Sequence, residues 1–153
     1  MVGWHRGFDF ERLARASAAV RQGARFVATN LDPTYPAPEG LVPGNGALAA
    51  AVATAAGQMP EVAGKPEAPT VAMVRHRFGA RGLMVGDRTS TDGALAAALG
   101  WPFALVLSEA STSPGEPAPD RDALVGASLA AVADEVMAML SGEEPVDAAR
   151  PMP

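Results

Sequence analysis

Three residues have the types and spacing to handle a phosphoryl group and a metal ion. Asp87 and Asp92 stand on the polar run Gly86-Asp-Arg-Thr-Ser-Thr-Asp92, directly after the apolar Gly82-Leu-Met-Val-Gly86. Two carboxylates so placed can converge on one hard cation, which prefers an octahedron of oxygen ligands. Asp92 reads equally as the N-cap of a helix opening at Gly93. Asp87 has no such structural reading, because it ends an apolar strand. Lys65 stands between Gly64 and Pro66. Glycine lets a backbone or ligand approach closely, and proline fixes the exit of the chain. A lysine held there is a point charge suited to a phosphoryl oxygen. Taken alone, it reads as a solvated surface side chain.

The elements that must position these residues are legible from periodicity and punctuation. Leu13, Ala16, Ala19 and Val20 predict a helix over 9–22, with Gly23 at its C-cap. Residues 1–4 read as a strand end and 24–28 as a strand, followed by the polar turn Thr29-Asn-Leu-Asp32. The Pro- and Gly-rich stretch from Pro33 to Gly46 reads as a structured loop with a short strand at Leu41-Val42. Helices are expected over 47–56, 69–78, 93–99 and 129–140. Strands are expected over 61–63, 82–86, 101–107 and 123–127. Strands alternating with helices give an α/β fold, a parallel sheet covered on both faces. In such sheets ligands bind beyond the carboxyl ends of the strands, where Asp87 and Asp92 fall. Residues from Ser141 to Pro153 read as a disordered tail.

Composition excludes several classes. A hydrophobic fraction of 48% with 19% charged residues is that of a globular chain rather than a disordered one. The net charge of −5 and the scattered 12 Lys and Arg argue against nucleic acid as a partner. No apolar run reaches the roughly 18 residues of a membrane span. The absence of cysteine excludes a thiolate metal site or nucleophile and fits a cytoplasmic location.

In combination the motifs resemble a known family. Val62-Ala-Gly-Lys-Pro66 followed by Met84-Val-Gly-Asp-Arg-Thr-Ser-Thr-Asp92 resembles the third and fourth motifs of haloacid-dehalogenase-like hydrolases. The nearer resemblance is to subfamily IIA, the 4-nitrophenylphosphatases, pyridoxal phosphatases and NagD-like phosphatases. Phe26-Val-Ala-Thr-Asn30 with Asp32, and Pro43-Gly-Asn-Gly-Ala-Leu48, resemble segments of that subfamily's cap domain. The resemblance covers roughly residues 1–140. It implies the C-terminal half of a Rossmannoid parallel-sheet core over 59–140, preceded by part of a C2-type α/β cap over 1–58. It further implies a magnesium-dependent phosphatase acting on a small phosphorylated metabolite. Lys65 and Asp87 would be catalytic, with Asp87 and Asp92 serving the Mg2+ ion. Asn30, Asp32 and Arg88 are candidate substrate contacts.

The family's nucleophile lies in an Asp-x-Asp-Gly sequence on its first strand, and these residues contain none. Asp9-Phe-Glu11, an imitation of it, follows no apolar strand. The resemblance therefore implies a truncated chain that starts midway through the cap, holds Mg2+ weakly and is inactive alone. A complementing N-terminal chain, or a second copy paired along an exposed sheet edge, is the expected partner. The alternative is a non-catalytic phosphate-binding or interaction protein. His5 replaces the family's usual aspartate, and Ser108-Glu-Ala-Ser111 its usual Thr-Gly-Val-Thr; both read as marks of relaxed selection or altered substrate preference.

Overall fold

Asp9 starts the first helix. In the computed structural model, which describes residues 1–38, 40–108, 110–112 and 115–141, helix α1 runs Phe10–Arg21. Asp9 is extended (φ −124°, ψ 175°), and its Oδ1 accepts the Arg12 backbone N–H at 2.8 Å. That satisfies one of the amides a helix start leaves without a partner. The Arg12 guanidinium donates to the other carboxylate oxygen at 3.0 Å. Asp9 is thus a helix cap.

Strand β1 (Val27–Ala28) follows, then β2 (Thr34–Ala37), β3 (Gly40–Pro43), α2 (Asn45–Ala56), β4 (Glu61–Val62) and α3 (Ala68–Phe78). The expected loop over 33–46 is instead an antiparallel β2–β3 hairpin, with Tyr35 opposite Val42 and Pro36 opposite Leu41. A two-stranded ribbon is all edge, so Pro36 can sit in it without breaking a central ladder. β1 and β4 pair in parallel, Ala28 opposite Val62, and Val2 adds one parallel bridge to Ala28. Val20, Phe26, Val52 and Ala53 form the core between α1 and α2, with Val2, Phe8, Leu13, Ala16 and Ala56 packed on it.

This first unit extends over Met1–His76, and a second begins at Arg77. The division expected at 58/59 differs from this one. β4, assigned from sequence to the second domain, hydrogen-bonds to β1 in the first. A strand belongs to the sheet whose ladder it joins, and its partner is not encoded in its own local pattern.

The second unit holds β5 (Met84–Gly86), a π-helical turn over Thr89–Gly93, α4 (Ala94–Leu99), β6 (Phe103–Val106), β7 (Leu124–Gly126) and α5 (Leu129–Ser141). Its strands form a parallel sheet in the order β5-β6-β7, with Val85 opposite Ala104 and Leu105 opposite Val125. Leu95, Ala96, Leu99, Ala104, Leu105 and Val132 are buried. The strand expected from Gly82 begins later, at Met84, and is partly rather than fully buried. A side chain on Gly82 would lie 2.6 Å from the Trp101 ring, whose Nε1 donates to the Ala80 carbonyl at 3.0 Å. The helix expected from Gly93 is preceded by the π turn, which pulls Asp92 inward. The tail expected over 141–153 lies, beyond Ser141, outside the described residues. Among those residues no helix is long and apolar enough to cross a membrane.

The cap on α1 carries a pH signature. The Asp9 carboxyl sits below its ordinary value of 3.8, chiefly through the Arg12 backbone N–H and then the Arg12 and Arg15 charges, against some desolvation. A depressed carboxyl stabilises the fold above its ordinary value, and that contribution is lost as pH falls through the depressed one. Thermal melts of Asp9→Ala should show a lower Tm at neutral pH and a narrowing gap in acid. Asp9→Asn, which still caps, should retain most of the neutral-pH Tm.

Candidate functional site

The acidic loop after β5 is organised by one side chain. Asp92 is 4% exposed, and its Oδ2 accepts the backbone N–H groups of Asp87 and Arg88, both at 3.2 Å. A buried carboxylate is tolerated only when its oxygens are hydrogen-bonded, and here the partners are the first two amides beyond the strand. The close approach needs Gly86: a Cβ there would lie 2.2 Å from Asp92 Oδ2. Asp92 is therefore neither a helix N-cap nor a side chain displayed to solvent. The cap position of α4 is Gly93, with no side-chain hydrogen bond. Asp92 folds back across the loop and presents Asp87 at the carboxyl end of β5.

Asp87 is half-buried, and its Oδ2 accepts the Ser108 hydroxyl at 3.0 Å. Ser108 lies just past β6, and its oxygen also accepts the Ala110 and Ser111 amides at 3.1 and 3.4 Å. The Ser-for-Thr departure at this position keeps a hydroxyl, which is what touches Asp87. Sequence reasoning missed this contact. Two carboxylates are the right donors for a hard cation, and Asp87 fits as a direct ligand. Asp92 fits as the group that holds it, one oxygen being committed to amides. Among the described residues no three of His, Cys, Asp or Glu gather into a metal cage, so further oxygen ligands would come from water or a phosphate.

In the first unit, three motifs distant in sequence meet at one turn. Asn45, 2% exposed, donates from Nδ2 to the Asn30 carbonyl at 2.8 Å and to the Val2 carbonyl at 3.4 Å. The Gly46 N–H donates to the Asp32 carbonyl at 2.9 Å. A side chain on Gly46 would meet the Leu31 carbonyl at 2.3 Å, and one on Gly64 the Thr29 carbonyl at 2.3 Å. The Ala-Thr-Asn turn, the Gly-Asn-Gly helix start and the Gly-Lys-Pro segment are thus packed backbone to backbone. Asn30 lies against the segment bearing Lys65, which is exposed and joined to Pro66 by a cis peptide bond. The Asn30 Oδ1 is buried without a hydrogen-bond partner. Asp32 is half-buried in the same turn. Asn45, absent from the expected site, could have been suspected from an Asn between two glycines at a helix start.

Comparison with known proteins accords with these motifs. The family described as HAD-hydrolase-like matches residues 62–132. A D-glycerol 3-phosphate phosphatase of Mycobacterium tuberculosis is 52% identical over 98 residues, 62% of this chain and 27% of that protein. A double-mutant thermostable NPPase from Geobacillus stearothermophilus superposes with a TM-score of 0.68 at 30% identity, over 80% of this chain and 50% of that one. Over residues 62–132 the chain is similar to the haloacid-dehalogenase-like hydrolases. Within that family its relatives point to subfamily IIA. A glycerol phosphate phosphatase from M. tuberculosis, solved in complex with magnesium, matches with a TM-score of 0.63 at 43% identity, over 69% of this chain and 32% of that one. The chain thus spans between about a quarter and a half of these relatives.

The bonding separates the two acids of this loop. Asp92→Ala should lower stability by about 1.5–3 kcal/mol, the range for hydrogen bonds to a charged group. Asp87→Ala should cost below about 1 kcal/mol, because it loses one exposed hydroxyl contact. Urea denaturation of both variants checks the ordering, and equal costs would contradict it.

Proposed function

We propose that these residues form the C-terminal part of a magnesium-dependent phosphate-monoester hydrolase acting on a small phosphorylated metabolite in the cytoplasm. The observation that supports this reading most is the internal bonding of the Gly-Asp-Arg loop, which holds Asp87 at a strand's carboxyl end. The Gly-Lys-Pro lysine in the same chain adds to it. Bound magnesium supplies concentrated positive charge at phosphate oxygens. Asp87 offers it a carboxylate oxygen, with Asp92 acting from behind through the loop backbone. Lys65 offsets the negative charge of the phosphoryl group, the electrostatic help that phosphoryl transfer demands. Asn30, with its unpaired Oδ1, suits a substrate hydroxyl, while Asp32 and Arg88 stand as further substrate contacts.

In this reading the nucleophilic aspartate lies outside these 153 residues, which contain no Asp-x-Asp-Gly. The 153 residues alone are then inactive and hold Mg2+ weakly. β5 at the outer position of its sheet supports pairing there with the strand that carries the nucleophile, from a complementing segment or chain.

Hydrolysis of 4-nitrophenyl phosphate, with and without a chain bearing that strand, tests the proposal. We expect no turnover from the 153 residues, magnesium-dependent turnover from the mixture, and a loss of about 10²–10³ with Lys65→Ala in the mixture. A silent mixture contradicts the proposal. Silence accompanied by phosphate binding favours the non-catalytic reading.

A further inference from the structure

The segment between β6 and β7 contributes a second contact to the acidic loop. The Glu116 carboxylate accepts the Ser90 backbone N–H through Oε1 at 2.6 Å and the Ser90 hydroxyl through Oε2 at 2.8 Å. Both bonds are short and charge-assisted, the stronger kind of protein hydrogen bond. Ser90 sits in the π turn midway between Asp87 and Asp92. The loop is therefore gripped at three points by three side chains: Asp92 on the Asp87 and Arg88 amides, Ser108 on the Asp87 carboxylate, and Glu116 on Ser90.

Local sequence prepares Glu116 for this task. Gly115 has φ +87°, a conformation costly for any side-chain-bearing residue. Pro117 confines the preceding residue to extended backbone. Glu116 is half-buried, and the restriction from Pro117 lowers the backbone freedom it loses on engaging Ser90. The contact joins residues 26 apart, both within the second unit.

We propose that Glu116 is a positioning residue: through Ser90 it fixes the acidic loop and so fixes the aim of the Asp87 carboxylate at its cation. This rests on the phosphatase reading for the identity of the cation, but not for the existence of the latch. Loss of Glu116 removes the only carboxylate described on the Ser90 amide and leaves Asp92 and Ser108 to hold a longer, looser arc.

Amide hydrogen exchange and Mg2+ calorimetry on the full chain, as wild type, Glu116→Ala, Glu116→Gln and Ser90→Ala, test it. Glu116→Ala should speed exchange across residues 87–92 by tenfold or more, leave the β6 and β7 amides unchanged, and weaken Mg2+ binding several-fold. Glu116→Gln keeps an oxygen acceptor for the Ser90 N–H while losing the charge, so it should retain most of both properties. Ser90→Ala, which loses only the hydroxyl arm, should fall between. Unchanged loop exchange in Glu116→Ala overturns the latch. A loosened loop with unchanged Mg2+ affinity overturns the positioning role. Equal losses in Ala and Gln would assign the effect to charge alone and overturn it as well. A wild-type chain that takes up no Mg2+ defeats the metal reading by itself, while the exchange comparison still decides the latch.

Discussion

A single buried carboxylate governs the second unit's candidate site. Asp92 lies under the loop it belongs to, and its Oδ2 is shared by the two amides that emerge from β5. An unpaired carboxylate at that depth would cost several kcal/mol, so the loop must wrap around it. The other features follow from this. Gly86 has no side chain because the carboxylate occupies that space. The π-helical turn over Thr89–Gly93 lets Asp92 point inward while α4 begins two residues later, at Ala94. Asp87, with its backbone N–H engaged from below, carries its side chain at the end of the strand, where Ser108 meets it. The spacing of the two acids lets Asp92 fold back onto the Asp87 and Arg88 amides.

The first unit solves a similar problem with an amide in place of an acid. Asn45 at the start of α2 is buried and ties the Asn30 carbonyl to the chain start. Gly46 and Gly64 let two further backbones approach the same turn at distances that a methyl group would prevent. Loops that carry candidate ligands are held by their own backbone groups, consistent with the general need to pair buried N–H and C=O groups. In both units rigidity comes from short-range polar bonding, and the apolar core (Val20, Phe26 and Val52 in the first unit; Leu95, Leu99 and Leu105 in the second) supplies the platform.

Much of this was legible in the sequence, for identifiable reasons. The five helices fall where apolar spacing and glycine stops place them, because both signals are local. Lys65, Asp87 and Asp92 stand out in combination, as a Gly-Lys-Pro segment followed by acids after an apolar strand, although Lys65 alone reads as a surface side chain. What escaped was nonlocal or atypical. The β2–β3 hairpin was hidden by its prolines, which only a ribbon without a central strand tolerates. The pairing of β4 with β1 joins strands 34 residues apart and leaves no trace in either segment. The turn of Asp92 onto the Asp87 and Arg88 amides escaped because composition cannot show which way a side chain points. Ser108, Glu116 and Asn45 act through contacts with distant residues, and nothing in their own neighbourhoods marks the partner.

The account stands on Asp87 being the acid presented to a cation while Asp92 serves the loop. Titrating Mg2+ into the 15N-labelled chain, followed by amide chemical shifts, reads this most directly. The account predicts that the Asp87 and Arg88 amides shift first, and that Asp87→Asn abolishes the response while the Asp92 fold-back survives. Shifts confined to other parts of the chain, or an undiminished response in Asp87→Asn, would contradict it.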